Sequence, residues 1–248
     1  MVQPSHPGNV GSAARAIKTM GFSELVLVDP KLPDMTAQPE AIALASGADD
    51  VLANTQTFST LEQALAPITL ACALTARPRD IGPPAADIRA TADIVRTHLD
   101  AHTEARVAIV LGTERAGLTN EQIGLCHRIC HIPANPAYSS LNVAQALQLA
   151  AWEMRYALLE TAHSVQETPV AATPLARGAE PASGEAVHAL LTHWEQALIA
   201  VEFLDPAHPK KLMPRMRHLF GRNGLTRDEV DMLRGVCTAM VKTAGKPR

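Results

Sequence analysis

Three stretches of this chain set polar or glycine-rich loops beside apolar elements, where a side chain can be held rigidly and still reach a ligand. PSHPGNVGSAARAIKTMG, from Pro4 to Gly21, leads a loop with two glycines into a helix carrying Asn9 and Arg15. A glycine-rich turn at a helix N-terminus offers free N–H groups to an anion. The pattern is neither GxGxxG nor the Walker loop, so it does not signal a dinucleotide or a nucleoside triphosphate. VLGTERAGLTNEQ, from Val110 to Gln122, ends a strand at Gly112 and continues with Glu114, Arg115 and Gly117. IPANPAYSSLNVAQA, from Ile132 to Ala146, puts Ser139, Ser140 and Asn142 where a loop enters a long apolar helix. Singly, each has a plain structural explanation, with Ser139 or Ser140 as an N-cap and Asn9 as a turn residue.

The elements that must position these loops read as a parallel α/β sheet. A helix is expected over 10–20, closed by Gly21 in the position of a helix C′ residue. LVLVD (25–29), ITLACALTA (68–76) and ARVAIVLG (105–112) are short continuous apolar runs, as suits buried parallel strands. CHIP (130–133) is a fourth strand candidate. Helical stretches near 38–46, 60–66 and 88–100 alternate with these strands, the mark of a parallel sheet. A helix from about 141 to 161, poor in charge, requires burial of much of its surface. Residues 162–186 mix Ala, Thr, Ser, Gly and Pro without periodicity and read as a flexible linker. Helices are then expected over 186–204, 210–220 and 226–243, with Thr226 and Glu229 at capping-box spacing. The expected division is a catalytic domain over 1–161 and a small helical module over 187–248.

Of the 248 residues, 47% are apolar and 19% charged, the balance of an ordinary folded protein. The apolar runs are too short to cross a bilayer and the N-terminus lacks a signal-peptide pattern, so a cytoplasmic protein without membrane partners is expected. Cys72, Cys126, Cys130 and Cys237 show no CxxC pair. Cys126 and Cys130 lie near His127 and His131, but structural zinc takes ligands from two separated pairs, and a helix end running into a buried strand explains the same residues, so no metal is expected. The net charge of −3 is unevenly spread: residues 184–248 carry ten Lys and Arg against seven Asp and Glu. Lys210, Lys211, Arg215, Arg217, Arg222 and Arg227 follow one another with no acidic residue between them. Two readings stand, a polyanion-binding surface and a solvated helix face.

Taken together, in this order and at these separations, the three loops resemble the motifs of the SPOUT-class ribose 2′-O-methyltransferases, and within it the branch acting on cytidine and uridine of tRNA. The likeness runs from about Val2 to Tyr156, and Leu204–Gly235 is similar to that branch's C-terminal extension. The resemblance implies a sheet whose C-terminal part is tied in a trefoil knot, an S-adenosylmethionine cofactor, a homodimer, and tRNA as partner, methylated on the ribose of anticodon-loop position 32. It implies that Leu74, Thr75, Ala76, Gly112, Ile132, Ser139, Ser140 and Leu141 surround the cofactor. It assigns substrate placement and catalysis to Asn9, Arg15, Glu114, Ser140 and Asn142, and tRNA binding to the six basic residues of the C-terminal module. A guanidinium stays protonated, so Arg15 is expected to position and stabilise charge, Glu114 to anchor the loops, and the base is left open.

One departure stands out. Members of that class have a complete first strand ahead of the Asn-containing loop, whereas only Met1, Val2 and Gln3 precede Pro4 here. The expectation is a start assigned too late or a truncated chain, with unpaired backbone and uncovered apolar faces costing several kcal/mol. Two rival functions follow: a related 2′-O-methyltransferase acting on rRNA or another tRNA position, and a knotted RNA-binding protein without turnover.

Overall fold

The computed structural model describes residues 1–76, 82–164, 180–221 and 224–245. The first helix, α1 (Pro7–Thr19), begins ahead of the expected stretch because Pro7 occupies its first turn, where no amide hydrogen is needed. It stops at Gly21, whose φ of +79° suits a residue without Cβ. Its buried face meets α2 (Pro39–Ala45) so closely that a Cβ on Gly11 would overlap the Ala41 carbonyl.

The strands follow as β1 (Val26–Val28), β2 (Gln56–Phe58), β3 (Leu70–Leu74), β4 (Ala85–Asp87), β5 (Val107–Leu111) and β6 (Arg128–His131). All their pairings are parallel, in the orders β1-β2 and β4-β6-β3-β5. The three apolar runs each hold a strand, trimmed at its ends, whereas β6 starts two residues ahead of CHIP and stops at His131. Unexpected are β2 and β4, along with the short helices α3 (Asp49–Ala53) and α6 (Asn120–Gly124). Interleaved with the strands are α4 (Leu61–Leu65), α5 (Ile88–Ala101) and α7 (Val143–Ser164).

Both sheet faces are covered. Leu70, Cys72 and Cys130 pack with α5 and α7, and Leu111 joins the core of α1 and α7. On the other face Ala71, Ala73, Val110 and Ile129 meet α4 and α6. This alternation is that of strands buried on both sides.

Among the described residues, β5 and β1 are joined only by the first residues of the chain. The Val2 amide donates to the Leu111 carbonyl at 2.8 Å, the Val28 amide to Met1 at 2.9 Å, and the Gln3 amide to Val28 at 2.7 Å. Beyond this stub the two strands flank an apolar slot of about 540 Å³, lined by Val26, Leu65, Val107, Ile109, Leu147 and Met154 among others.

The C-terminal module consists of α8 (Gly184–Ala200), α9 (Leu212–Gly221) and α10 (Arg227–Ala244). Leu190, Ala197, Val230 and Cys237 form its core, and Thr226 with Glu229 makes the expected capping box. The expected linker over 162–186 falls largely outside the described residues. At its edges, residues 162–164 continue α7, while the backbone from 180 on is bonded. Ala182 donates to Leu225 at 2.7 Å, Gly184 to Ile68 at 3.0 Å, and Glu185 to Ala66 at 3.0 Å, so α8 begins already seated on the end of α4. Among the described residues, no helix is long and apolar enough to cross a membrane.

Candidate active site

Glu114, in the loop leaving β5, is the point where distant segments meet. Its carboxylate accepts the Ser5 amide at 3.2 Å, the Ser5 hydroxyl at 2.9 Å, the His6 amide at 3.3 Å and the Asn9 Nδ2 at 3.2 Å. Partial burial works to raise its pKa, but hydrogen bonds from its own backbone, Asn9 and Ser5 outweigh that and hold it below the usual glutamate value. The group is an anchored anion that closes the loop before α1 onto the end of the sheet.

Asn9 passes this network on. Its Oδ1 accepts from Asn142 Nδ2 at 2.9 Å, and the Asn142 Oδ1 accepts the amides of Ala144 at 2.9 Å and Gln145 at 3.3 Å. Asn142 therefore caps α7. That role falls to neither Ser139 nor Ser140, which are exposed just before it. The chain Glu114–Asn9–Asn142 thus ties the first loop to two others, each more than a hundred residues from it in sequence.

Beside this network lies a cleft of about 150 Å³, lined by Leu74, Thr75, Ala76, Gly112, Ile132, Ser139, Ser140 and Leu141, together with Glu114 itself. It opens at the C-terminal ends of β3, β5 and β6, where parallel sheets place ligand sites. Gly112 is required by packing: a Cβ there would overlap the Gly117 backbone. Gly117 itself has a φ of +69°, and its amide returns to Thr113 at 2.9 Å to close the turn.

Arg15 stands apart from this group. Six residues beyond Asn9 on α1, it is displaced about 9 Å along the axis and about 120° around it. It is exposed, and among the described residues no carboxylate pairs with it. Ser140 sits on the rim of the cleft without joining the hydrogen-bond chain.

The basic segment is not uniform. Lys210, Lys211 and Arg215 are exposed, and the stem of Arg217 lies against Gly124 of α6. Arg227 pairs with Glu104 at 3.3 Å and Glu180 at 3.1 Å, so its charge is shared with two carboxylates. Arg222 lies outside the described residues. In the Cys126–His131 stretch, the His127 Nδ1 accepts the Ala71 amide at 2.9 Å, and burial pushes its pKa down to about 4. Sequence reasoning passed over Ser5 and His6. Their signal was two polar side chains immediately before the first turn of the helix that carries Asn9.

Comparison with known proteins matches residues 1–152 to the model of the SpoU rRNA methylase family, and residues 185–248 to that of the tRNA methyltransferase TrmJ C-terminal domain. A tRNA (cytidine/uridine/adenosine-2′-O-)-methyltransferase TrmJ from Pseudomonas aeruginosa is 39% identical over 244 residues, covering 98% of this chain and 93% of the relative. The crystal structure of TrmJ from Z. mobilis shares 30% identity with a TM-score of 0.79, over 96% of both chains. That of a probable methyltransferase from Bordetella pertussis is 76% identical with a TM-score of 0.61, covering 64% of this chain and 93% of that one.

Proposed function

Since the chain belongs to the SpoU rRNA methylase family, we propose that it is a tRNA 2′-O-methyltransferase using S-adenosylmethionine, acting on cytidine or uridine at anticodon-loop position 32 in the cytoplasm. The observation that carries this reading is the Glu114–Asn9–Asn142 chain, which ties the first motif loop to the two motif loops that line the cleft. A C-terminal match to the TrmJ domain, with near full-length similarity to TrmJ proteins, favours tRNA as the substrate.

The cleft fits the cofactor's chemistry. Leu74, Ile132 and Leu141 supply apolar walls for a purine and a methionine chain, Thr75, Ser139 and Ser140 supply hydroxyls for a ribose, and the bare backbone at Gly112 allows close approach. Bound there, S-adenosylmethionine supplies a methyl group on a sulfonium leaving group. The protein's own task is to place a weak nucleophile in line and assist loss of its proton. Asn9 and Asn142, each with its amide orientation fixed by the other, hold the ribose side of the site. Arg15 grips the neighbouring phosphate and offsets developing negative charge. Glu114 holds the loops in register.

The working unit is a homodimer. Leu149, Trp152, Tyr156 and Leu159 are exposed at helical spacing along α7, an apolar stripe that a second copy would cover. Arg15, displaced from Asn9 in its own chain, then serves the site across that interface. The trefoil knot is supported by strand order: β6 lies between β3 and β4, which are consecutive in the chain, so the segment after β6 must pass their connection. Residues 1–161 form the catalytic domain, and Lys210, Lys211, Arg215 and Arg217 form the tRNA-facing surface of the C-terminal module. Mass spectrometry of nucleosides from tRNA incubated with enzyme and S-adenosylmethionine tests the reading. A 2′-O-methylated pyrimidine at position 32 is expected, and unmodified tRNA overturns it.

A further inference from the structure

The methyl-transfer reading leaves open which group takes the proton of the ribose hydroxyl, and the corner around Glu114 answers it. Glu114 is poorly suited, since both its oxygens are occupied by donors. Arg15 holds its proton. Next to Glu114, His6 Nδ1 lies 2.8 Å from the Ser5 Oγ, which in turn donates to Glu114 Oε2 at 2.9 Å. A hydroxyl has one proton. The carboxylate is the stronger acceptor and takes it, so the Ser5 Oγ can only accept from His6. That fixes the imidazole as the Nδ1–H tautomer and leaves a lone pair on Nε2. The side chain of His6 is 69% exposed and that of Glu114 15%, so the relay runs from an anchored anion outward to an accessible nitrogen beside the cleft.

We propose that His6 is the general base of methyl transfer, with Ser5 and Glu114 as the positioning residues that set its tautomer. This rests on the function proposed above. As the oxygen–methyl bond forms, the sulfonium–carbon bond breaks with its electron pair going to sulfur. The hydroxyl proton passes to His6 Nε2, and from there to water. The Glu114 carboxylate faces Nδ1 at 3.7 Å. The other charged groups of this corner are Glu40, whose side chain lies against Gly8 of α1, Arg115 beside Glu114, and the Asp29–Lys31 pair behind Pro4.

Two measurements test it. Nitrogen NMR of isotope-labelled histidine in the free protein reads the tautomer directly: Nδ1–H is expected for His6, shifting toward a mixture in Ser5→Ala, and an Nε2–H form in the unaltered protein overturns the proposal. In kinetics, His6→Gln should lower kcat by about 100-fold or more and abolish the acid limb of the pH–rate profile, while S-adenosylhomocysteine affinity by calorimetry stays within about twofold. A His6→Gln enzyme with unaltered rate and pH profile overturns the base assignment and leaves the methyltransferase reading standing. Absence of any methyl transfer by the unaltered enzyme overturns that reading instead, whatever the tautomer.

Discussion

Arg15 and Glu114 have opposite proposed tasks, one directed at the RNA and the other at the protein's own loops. Because Arg15 is exposed and lies outside the cleft, Arg15→Ala should abolish methyl transfer and leave S-adenosylhomocysteine affinity within a few-fold; calorimetry beside a methylation assay checks this, and parallel loss of both would make it structural. Glu114→Gln should destabilise the fold by about 1–3 kcal/mol, since charge-assisted hydrogen bonds to three residues weaken together. The difference depends on pH in a definite sense. The folded-state pKa of Glu114 is held below its ordinary 4.5. Its contribution is complete above that value and is lost as pH falls toward the lowered one, because the unfolded chain binds the proton first. Thermal melts of both proteins should therefore converge in acid. At this scale Asn9, Glu114 and Asn142 were legible because their types and loop positions formed a pattern. The role of Ser5 was not, since it depends on a carboxylate 109 residues away. Nor were the ion pairs of Arg227, whose partners Glu104 and Glu180 are remote in sequence.

Among the elements, α7 has two obligations. One side is packed on β3, β5 and α5, while Leu149, Trp152, Tyr156 and Leu159 remain outside, with Trp152 and Tyr156 stacked at 6.4 Å. In the proposed homodimer a charge set in this stripe would have to be buried unpaired. Trp152→Glu should then give a monomer by light scattering and lose methyl transfer along with dimerisation, whereas a dimer surviving the change would remove the stripe from the interface. The helix itself was readable from its long apolar composition. The three-residue strands β2 and β4 were not, because QTF and AAD are too short and too exposed to show a period, and are strands only by virtue of their neighbours. The long apolar runs succeeded because burial on both faces leaves a signal no loop would carry.

For the whole molecule, the placement of the C-terminal module governs how its charge can be tested. It is seated on α4 and α6, so removing it would uncover part of the first domain; replacing Lys210, Lys211, Arg215 and Arg217 by alanine is the cleaner change. Phosphate contacts release counterions, so this variant should bind tRNA more weakly and lower the slope of log affinity against log salt by up to about 3, with S-adenosylhomocysteine binding unaffected. An unchanged slope would return those residues to a solvated face. The charge asymmetry announced this module in the sequence, but where it docks depends on backbone pairs such as Gly184 with Ile68, which composition does not encode.

The seam between β5 and β1 has one further consequence, which concerns time rather than stability. The parallel register turns the amides of Ala108 and Val110 toward β3, and those of Val107 and Ile109 toward the slot, where among the described residues only Val2 at the far end reaches across. Protection from solvent deuterium should therefore alternate along a single buried strand. Ala108 and Val110 should exchange on the slow scale of global opening, and Val107 and Ile109 orders of magnitude sooner. An evenly protected β5 would mean that the slot closes in solution, and the alternation would mean that the sheet's central seam breathes while the catalytic ends of its strands stay fixed.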